Sequence, residues 1–121
     1  MSDFKIINLP EITDLRGKLC VLQEQLPFEI RRIFWITNAD GQVRGGHRHV
    51  KTRQALIAIA GCVDVYMNDG MHEETIALNV NSVCLIVEPE DWHTMKFHSG
   101  AILVVLASEN YNPEDYIASA Y

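Results

Sequence analysis

The sequence predicts an all-β protein, a single domain folded as a sandwich or barrel. Three observations carry that expectation. Short runs rich in Val, Ile, Leu, Tyr and Trp alternate with turn residues at close spacing, the pattern of many short strands. A strong hairpin signal, Asn68-Asp69-Gly70, joins two such runs. Helical periodicity is nearly absent.

Taken in order, strands are expected at Lys18 to Gln23, Ile30 to Thr37, Gln54 to Ala60, Cys62 to Met67, Glu73 to Leu78, Ser82 to Val87, His93 to Phe97 and Ala101 to Ala107. Gly61, Asn79 to Asn81 and Ser99-Gly100 punctuate them. Asn, Asp and Gly tolerate the positive φ of tight turns, so 68–70 reads as the tip of a hairpin. Runs such as Ala55 to Ala60 are apolar at every position. That suits a strand with one face on a barrel interior and the other against a second sheet. Near the end, Asn112-Pro113-Glu114-Asp115 places a capping residue, a first-turn proline and two acids in succession, which predicts one short C-terminal helix.

At 121 residues the chain has room for one domain, residues 1–121. Its 48% hydrophobic and 21% charged residues exclude disordered and collagen-like classes. No apolar run approaches the roughly 20 residues needed to span a bilayer, and Met1-Ser2-Asp3-Phe4-Lys5 lacks the pattern of a signal peptide. A cytoplasmic protein with no membrane partner is expected. The net charge of −6 would repel a phosphate backbone, so nucleic acid is not an expected partner, although a single diphosphate needs only a few arginines. Three cysteines, Cys20, Cys62 and Cys84, form no C-x-x-C pair. Each reads as a small buried hydrophobe.

The segment that carries chemistry is Arg44-Gly45-Gly46-His47-Arg48-His49. On an extended strand His47 and His49 point to one side. Two imidazoles sharing a pocket can give and take protons near neutral pH. Exposed strand histidines are the competing reading. Two features weigh against it: Gly45-Gly46, which permits a bulge or a close backbone approach, and a third histidine in Pro89-Glu90-Asp91-Trp92-His93. His72 and His98 read as solvated surface residues.

These motifs resemble the cupin superfamily of jelly-roll β-barrels. His47, His49, Gln54 and His93 occupy the four positions that hold a metal in metal-binding cupins, with Gly61 and Pro89 also in register. Gln54 replaces a carboxylate with a neutral amide, a poorer ligand for a divalent ion. No metal and no organic cofactor is expected.

A closer resemblance covers almost the whole chain and points to the dTDP-4-keto-6-deoxyhexose 3,4-ketoisomerases, the WxcM-like cupins. It is carried by Asp14-x-Arg16-Gly17-x-Leu19, Pro27-Phe28-x-Ile30 with Arg32, and Arg44-Gly45-x-His47-x-His49. It continues through Lys51, Gln54, Asn68-Asp69-Gly70, Pro89-x-x-Trp92-His93, Leu106-Ala107-Ser108, Tyr111 and Asp115-Tyr116-Ile117. Gly46 and Phe34-Trp35 depart from the aromatic and the tyrosines common at those places.

The resemblance implies conversion of a dTDP-4-keto-6-deoxyhexose to its 3-keto isomer in deoxyamino-sugar biosynthesis for O-antigen or S-layer glycans, by a homodimer exchanging N-terminal strands. Removing a C3 proton already acidified by the C4 carbonyl gives an enediol, and no Lewis acid is required. His49 is assigned as the base at carbon and His47 as the partner at the sugar oxygens; the sequence permits the reverse. Arg16 and Arg44 are candidates for the diphosphate, with a surface ion pair as the competing role for Arg16. Trp35 and Trp92 are candidates to stack on base or sugar, or to pack in the barrel. Lys51, Gln54 and His93 complete the substrate-binding set. Two rival readings are a metal-dependent cupin oxygenase or epimerase and a non-catalytic sugar-binding cupin.

Overall fold

The computed structural model describes residues 4–121. Twelve strands are present among them: β1 (Ile6–Asn8), β2 (Glu11–Asp14), β3 (Gly17–Cys20), β4 (Arg32–Ile36), β5 (Val43–His49), β6 (Gln54–Ala60), β7 (Val63–Asn68), β8 (Glu73–Leu78), β9 (Val83–Val87), β10 (Trp92–Phe97), β11 (Ile102–Ala107) and β12 (Tyr116–Ile117). Two five-stranded sheets, ordered β1-β9-β6-β11-β4 and β12-β5-β10-β7-β8, form the jelly roll, and β2-β3 stands apart as a two-stranded sheet. All pairings are antiparallel. Among the described residues no helix is long and apolar enough to cross a membrane.

Period-2 alternation places the core between the sheets. In β7, Val63, Val65 and Met67 turn inward while Asp64, Tyr66 and Asn68 turn outward. They meet Leu56 and Ala58 of β6, Leu85 and Val87 of β9, Phe97 of β10 and Leu103 and Val105 of β11. The apolar runs of β6 and β9 are explained by a second cluster on the back of the first sheet, where Ala55, Ile57, Cys84, Ile86 and Leu106 are covered by Leu9, Leu22, Leu26 and Phe28. Irregular N-terminal chain provides that cover, where a second sheet was expected.

The hairpin at 68–70 forms as expected. Asn68 accepts from the Gly70 amide, and Asp69 accepts from the amides of Met71 and His72. At the C-terminus the expected helix is a single 3₁₀ turn, Pro113–Asp115, with Asn112 accepting from the Glu114 amide. It stops there because Tyr116 turns extended to pair with β5. Of the cysteines only Cys84 is buried; Cys20 and Cys62 are half-buried.

Candidate active site

The central feature is a bulge in β5. His47 lies opposite His93 of β10 and Gly45 lies opposite Thr94, so Gly46 is the extra residue. Both glycines have positive φ, +89° at Gly45 and +79° at Gly46. A Cβ on Gly45 would come within 2.9 Å of the His93 carbonyl oxygen. The glycine pair thus lets β5 close on β10 and sets His47 against His93.

Four aromatic rings gather there. His47 is centred 4.9 Å from His49, 5.0 Å from His93 and 4.7 Å from Tyr116, and His49 lies 5.0 Å from Tyr116. Tyr116 arrives through the β12 pairing, where it opposes His49. A cavity of about 180 Å³ opens beside them. Phe34, Ile36, Met95 and Val105 give it an apolar lining, and Arg44, His47, Gln54, His93 and Tyr116 supply its polar groups.

Each histidine has a distinct state. His93 is buried, and its Nδ1 donates to the Asp91 carbonyl oxygen at 3.0 Å. A carbonyl only accepts, so the proton sits on Nδ1 and Nε2 keeps its lone pair. Burial pushes His93 down to about 4, against that bond, with His47 lowering it further. His49 is also pushed down to about 4, by burial and then by the neighbouring imidazoles, with Arg32 adding to the effect and the Asp115 carboxylate opposing it. Both ring nitrogens of His49 are buried without a hydrogen-bond partner. His47 is lowered by burial, in part offset by a backbone bond to Gly45. All three are therefore neutral at pH 7, with lone pairs able to accept protons.

Behind them, buried Asp115 accepts from the Lys51 amide at 2.8 Å and from the Thr52 hydroxyl. Burial would raise it, but these bonds hold it below the usual carboxylate range. Arg32 donates to the Tyr116 hydroxyl at 3.4 Å and stacks over Phe34 and Tyr111.

Of the residues singled out in the sequence, His47, His93, Gln54 and Arg44 line the cavity. His49 packs directly against His47 and Tyr116. Lys51 lines a neighbouring shallow pocket with Arg31, Tyr111 and Asn112. Three others lie elsewhere in this chain. Trp35 is 68% exposed, on the face of β4 opposite Phe34 and Ile36. Trp92 alternates with His93, donates to the Ala118 carbonyl at 3.0 Å and meets Tyr66 edge-on. Arg16 sits at the β2–β3 turn, paired with Asp14 at 2.6 Å and nearly fully exposed. Tyr116, which lines the cavity, and Arg32, which donates to its hydroxyl, have no chemical role in the reading of the sequence. Alternation along Arg32-x-Phe34-x-Ile36 is the signal that points to Arg32; Tyr116 stands in the Asp115-Tyr116-Ile117 motif, but nothing local places it beside the histidines.

The cupin metal position fits poorly. Among the described residues only Cys62, Asp64 and His98 bring three His, Cys, Asp or Glu ligand atoms within 4.8 Å of one another. The three clustered histidines do not converge that closely, and Gln54 brings no charge to the fourth position.

A jelly roll with histidines brought together by β5 and β10 has the architecture of a cupin. Residues 2–121 match the family model FdtA, WxcM-like, C-terminal. The TDP-4-oxo-6-deoxy-alpha-D-glucose-3,4-oxoisomerase of Aneurinibacillus thermoaerophilus is 38% identical over 117 residues, covering 93% of this chain and 84% of that one. The WlaRB TDP-quinovose 3,4-ketoisomerase of Campylobacter jejuni superposes with a TM-score of 0.92 at 39% identity, covering 98% and 95% of the two chains. A histidine-to-asparagine variant of the 3,4-ketoisomerase QdtA from Thermoanaerobacterium thermosaccharolyticum, in complex with TDP-4-keto-6-deoxyglucose, superposes at 0.93 with 35% identity, covering 98% and 89%. The chain belongs to the WxcM-like family of sugar 3,4-ketoisomerases.

Proposed function

We propose that the protein converts a dTDP-linked 4-keto-6-deoxyhexose into its 3-keto isomer by proton transfer among the clustered histidines at the cavity. The observation that carries this reading is the neutral, unpartnered imidazole of His49, packed between His47 and Tyr116 with a carboxylate, Asp115, acting on it. A base must be neutral before it acts and must tolerate positive charge afterwards. Burial supplies the first and Asp115 favours the second.

In the proposed cycle His49 takes the C3 proton, and the C3–H electron pair forms the C3=C4 double bond of an enediol as the C4 carbonyl oxygen gains a proton. Protonation at C4 and loss of the C3 hydroxyl proton then give the C3 ketone. His47, on the cavity wall, moves protons at the two oxygens, and Tyr116 and Gln54 hydrogen-bond them. No redox partner is required, because the step only relocates two hydrogens.

A cavity of about 180 Å³ is small for a whole nucleotide-sugar. The sugar therefore sits inside, and the diphosphate lies at the rim beside exposed Arg44. Arg16 lines a different surface, at the β2–β3 turn, and is not part of this cavity. A homodimer that exchanges N-terminal strands would bring it there from the other subunit. The free-standing β2–β3 hairpin, with Ile12, Leu15 and Leu19 exposed, and the uncovered Ile33 and Trp35 of β4 supply apolar surface for such an exchange. A cytoplasmic role, feeding a 3-keto sugar to an aminotransferase for O-antigen or S-layer glycans, belongs to the same reading. Incubating the pure protein with dTDP-4-keto-6-deoxyglucose and identifying the product by NMR tests it.

A further inference from the structure

We propose that the outer face of the second sheet carries a zinc site formed by Cys62, Asp64 and His98, at the end of the barrel away from the histidine cavity. Cys62 and Asp64 flank inward-facing Val63, so their side chains share the outer face of β7. His98 follows β10, whose Phe97 opposes Val63, and the His98 amide donates to the Cys62 carbonyl at 3.1 Å. Asp64 lies on β7, and Cys62 and His98 lie directly beside the paired ends of β7 and β10, tied to each other by that backbone bond.

Their atoms are close to a coordination shell. His98 Nε2 lies 2.7 Å from one Asp64 oxygen, Cys62 Sγ lies 3.7 Å from the other, and all three ligand atoms fall within 4.8 Å of one another. Tetrahedral zinc with bonds of about 2.0–2.3 Å separates its ligands by about 3.3–3.7 Å. Side-chain adjustment of about an ångström closes the gap. Charge favours the ion too: a thiolate, a carboxylate and a neutral imidazole balance Zn²⁺, and water fills the fourth position. Exposed Lys96, opposite Asp64 in the register, opposes the cation, but its long stem is free to turn to solvent. The sulfur–nitrogen–oxygen set selects a borderline-soft divalent ion over calcium or magnesium. Binding expels the thiol proton and links β7 to β10, which stabilises the fold.

From His93 to His98 the strand advances about 17 Å, so the site is separate from the cavity and does not enter the reaction. The reduced, chelator-treated protein should be titrated with Co²⁺ and, separately, Zn²⁺. One Co²⁺ per chain with a thiolate-to-cobalt charge-transfer band, and a rise in Tm with Zn²⁺, are expected. Cys62→Ser should abolish both signals while keeping wild-type turnover, which shows that the variant folds, and His98→Asn should weaken Zn²⁺ binding about tenfold or more. Binding should survive His47→Asn. The proposal is overturned if no ion binds up to millimolar metal, if binding persists in Cys62→Ser, or if it disappears in His47→Asn, which would place the ion in the barrel.

Discussion

His47 and His93 face each other across the β5–β10 pair, with ring centroids 5.0 Å apart, because the bulge at Gly46 shifts β5 by one residue just before the histidines. The geometry of the site therefore depends on two residues without side chains. Gly45→Ala should lose about 1–3 kcal/mol, since its φ of +89° is costly for alanine and the new Cβ would meet the His93 carbonyl oxygen at 2.9 Å. Turnover should fall with it. Gly46→Ala carries only the conformational cost, as nothing lies within 4 Å of its Cβ. Thermal melts of the two variants check the order; equal stability would contradict it.

Exchange and turnover separate the two histidines. His49→Asn should lose C3 deuterium exchange and isomerisation together, by about 10²- to 10⁴-fold, while dTDP binding is nearly unchanged. His47→Asn should retain more C3 exchange but form product slowly, because its task follows removal of the carbon proton. If His49→Asn exchanges normally and His47→Asn does not, the roles are reversed.

Tyr116→Phe keeps the ring that packs on His47 and His49 but removes the hydroxyl that accepts from Arg32. We expect a folded protein with kcat reduced about tenfold or more, the scale of a lost hydrogen bond to a developing oxyanion. Unchanged kcat would remove Tyr116 from the site and leave it a packing residue.

Acid should destabilise the fold through the same cluster. His49 and His93 titrate near 4 when folded and near 6.5 when unfolded. Between those values the unfolded chain binds more protons, so stability falls as pH drops from about 6.5 to about 4. Each shift corresponds to roughly 3 kcal/mol, and the total is less than additive because the rings act on one another. Denaturant melts across that range measure it, and stability that stays flat from pH 7 to pH 5 would contradict it.

Much of the barrel is legible in the sequence because β6, β7, β8, β9, β10 and β11 are apolar or alternating runs with clear punctuation. What was not legible has physical causes. β1, β2 and β12 have only three, four and two residues, too few for a period to show. β5 reads Val-Arg-Gly-Gly-His-Arg-His, with low strand propensity, and is held in place by β10 and β12. His-x-His is a local pattern and reveals itself; Tyr116 joins it through a pairing between distant parts of the chain. Arg16 belongs to a recognisable motif and Trp35 stands where the pattern departs from tyrosine, but only a second subunit, as in the proposed homodimer, would bring either to a site.

Isomerisation by proton transfer without a metal in the cavity can be tested in a single incubation. The protein is incubated with dTDP-4-keto-6-deoxyglucose in deuterated water containing a chelator, and the product is read by NMR. We expect a 3-keto-6-deoxy sugar that has lost its C3 proton and gained deuterium at C4, with turnover unaffected by the chelator and abolished in His49→Asn. Recovery of a 4-keto sugar deuterated at C3 and C5 would identify an epimerase, and loss of all turnover in chelator would identify a metal-dependent enzyme; either result would contradict metal-free isomerisation.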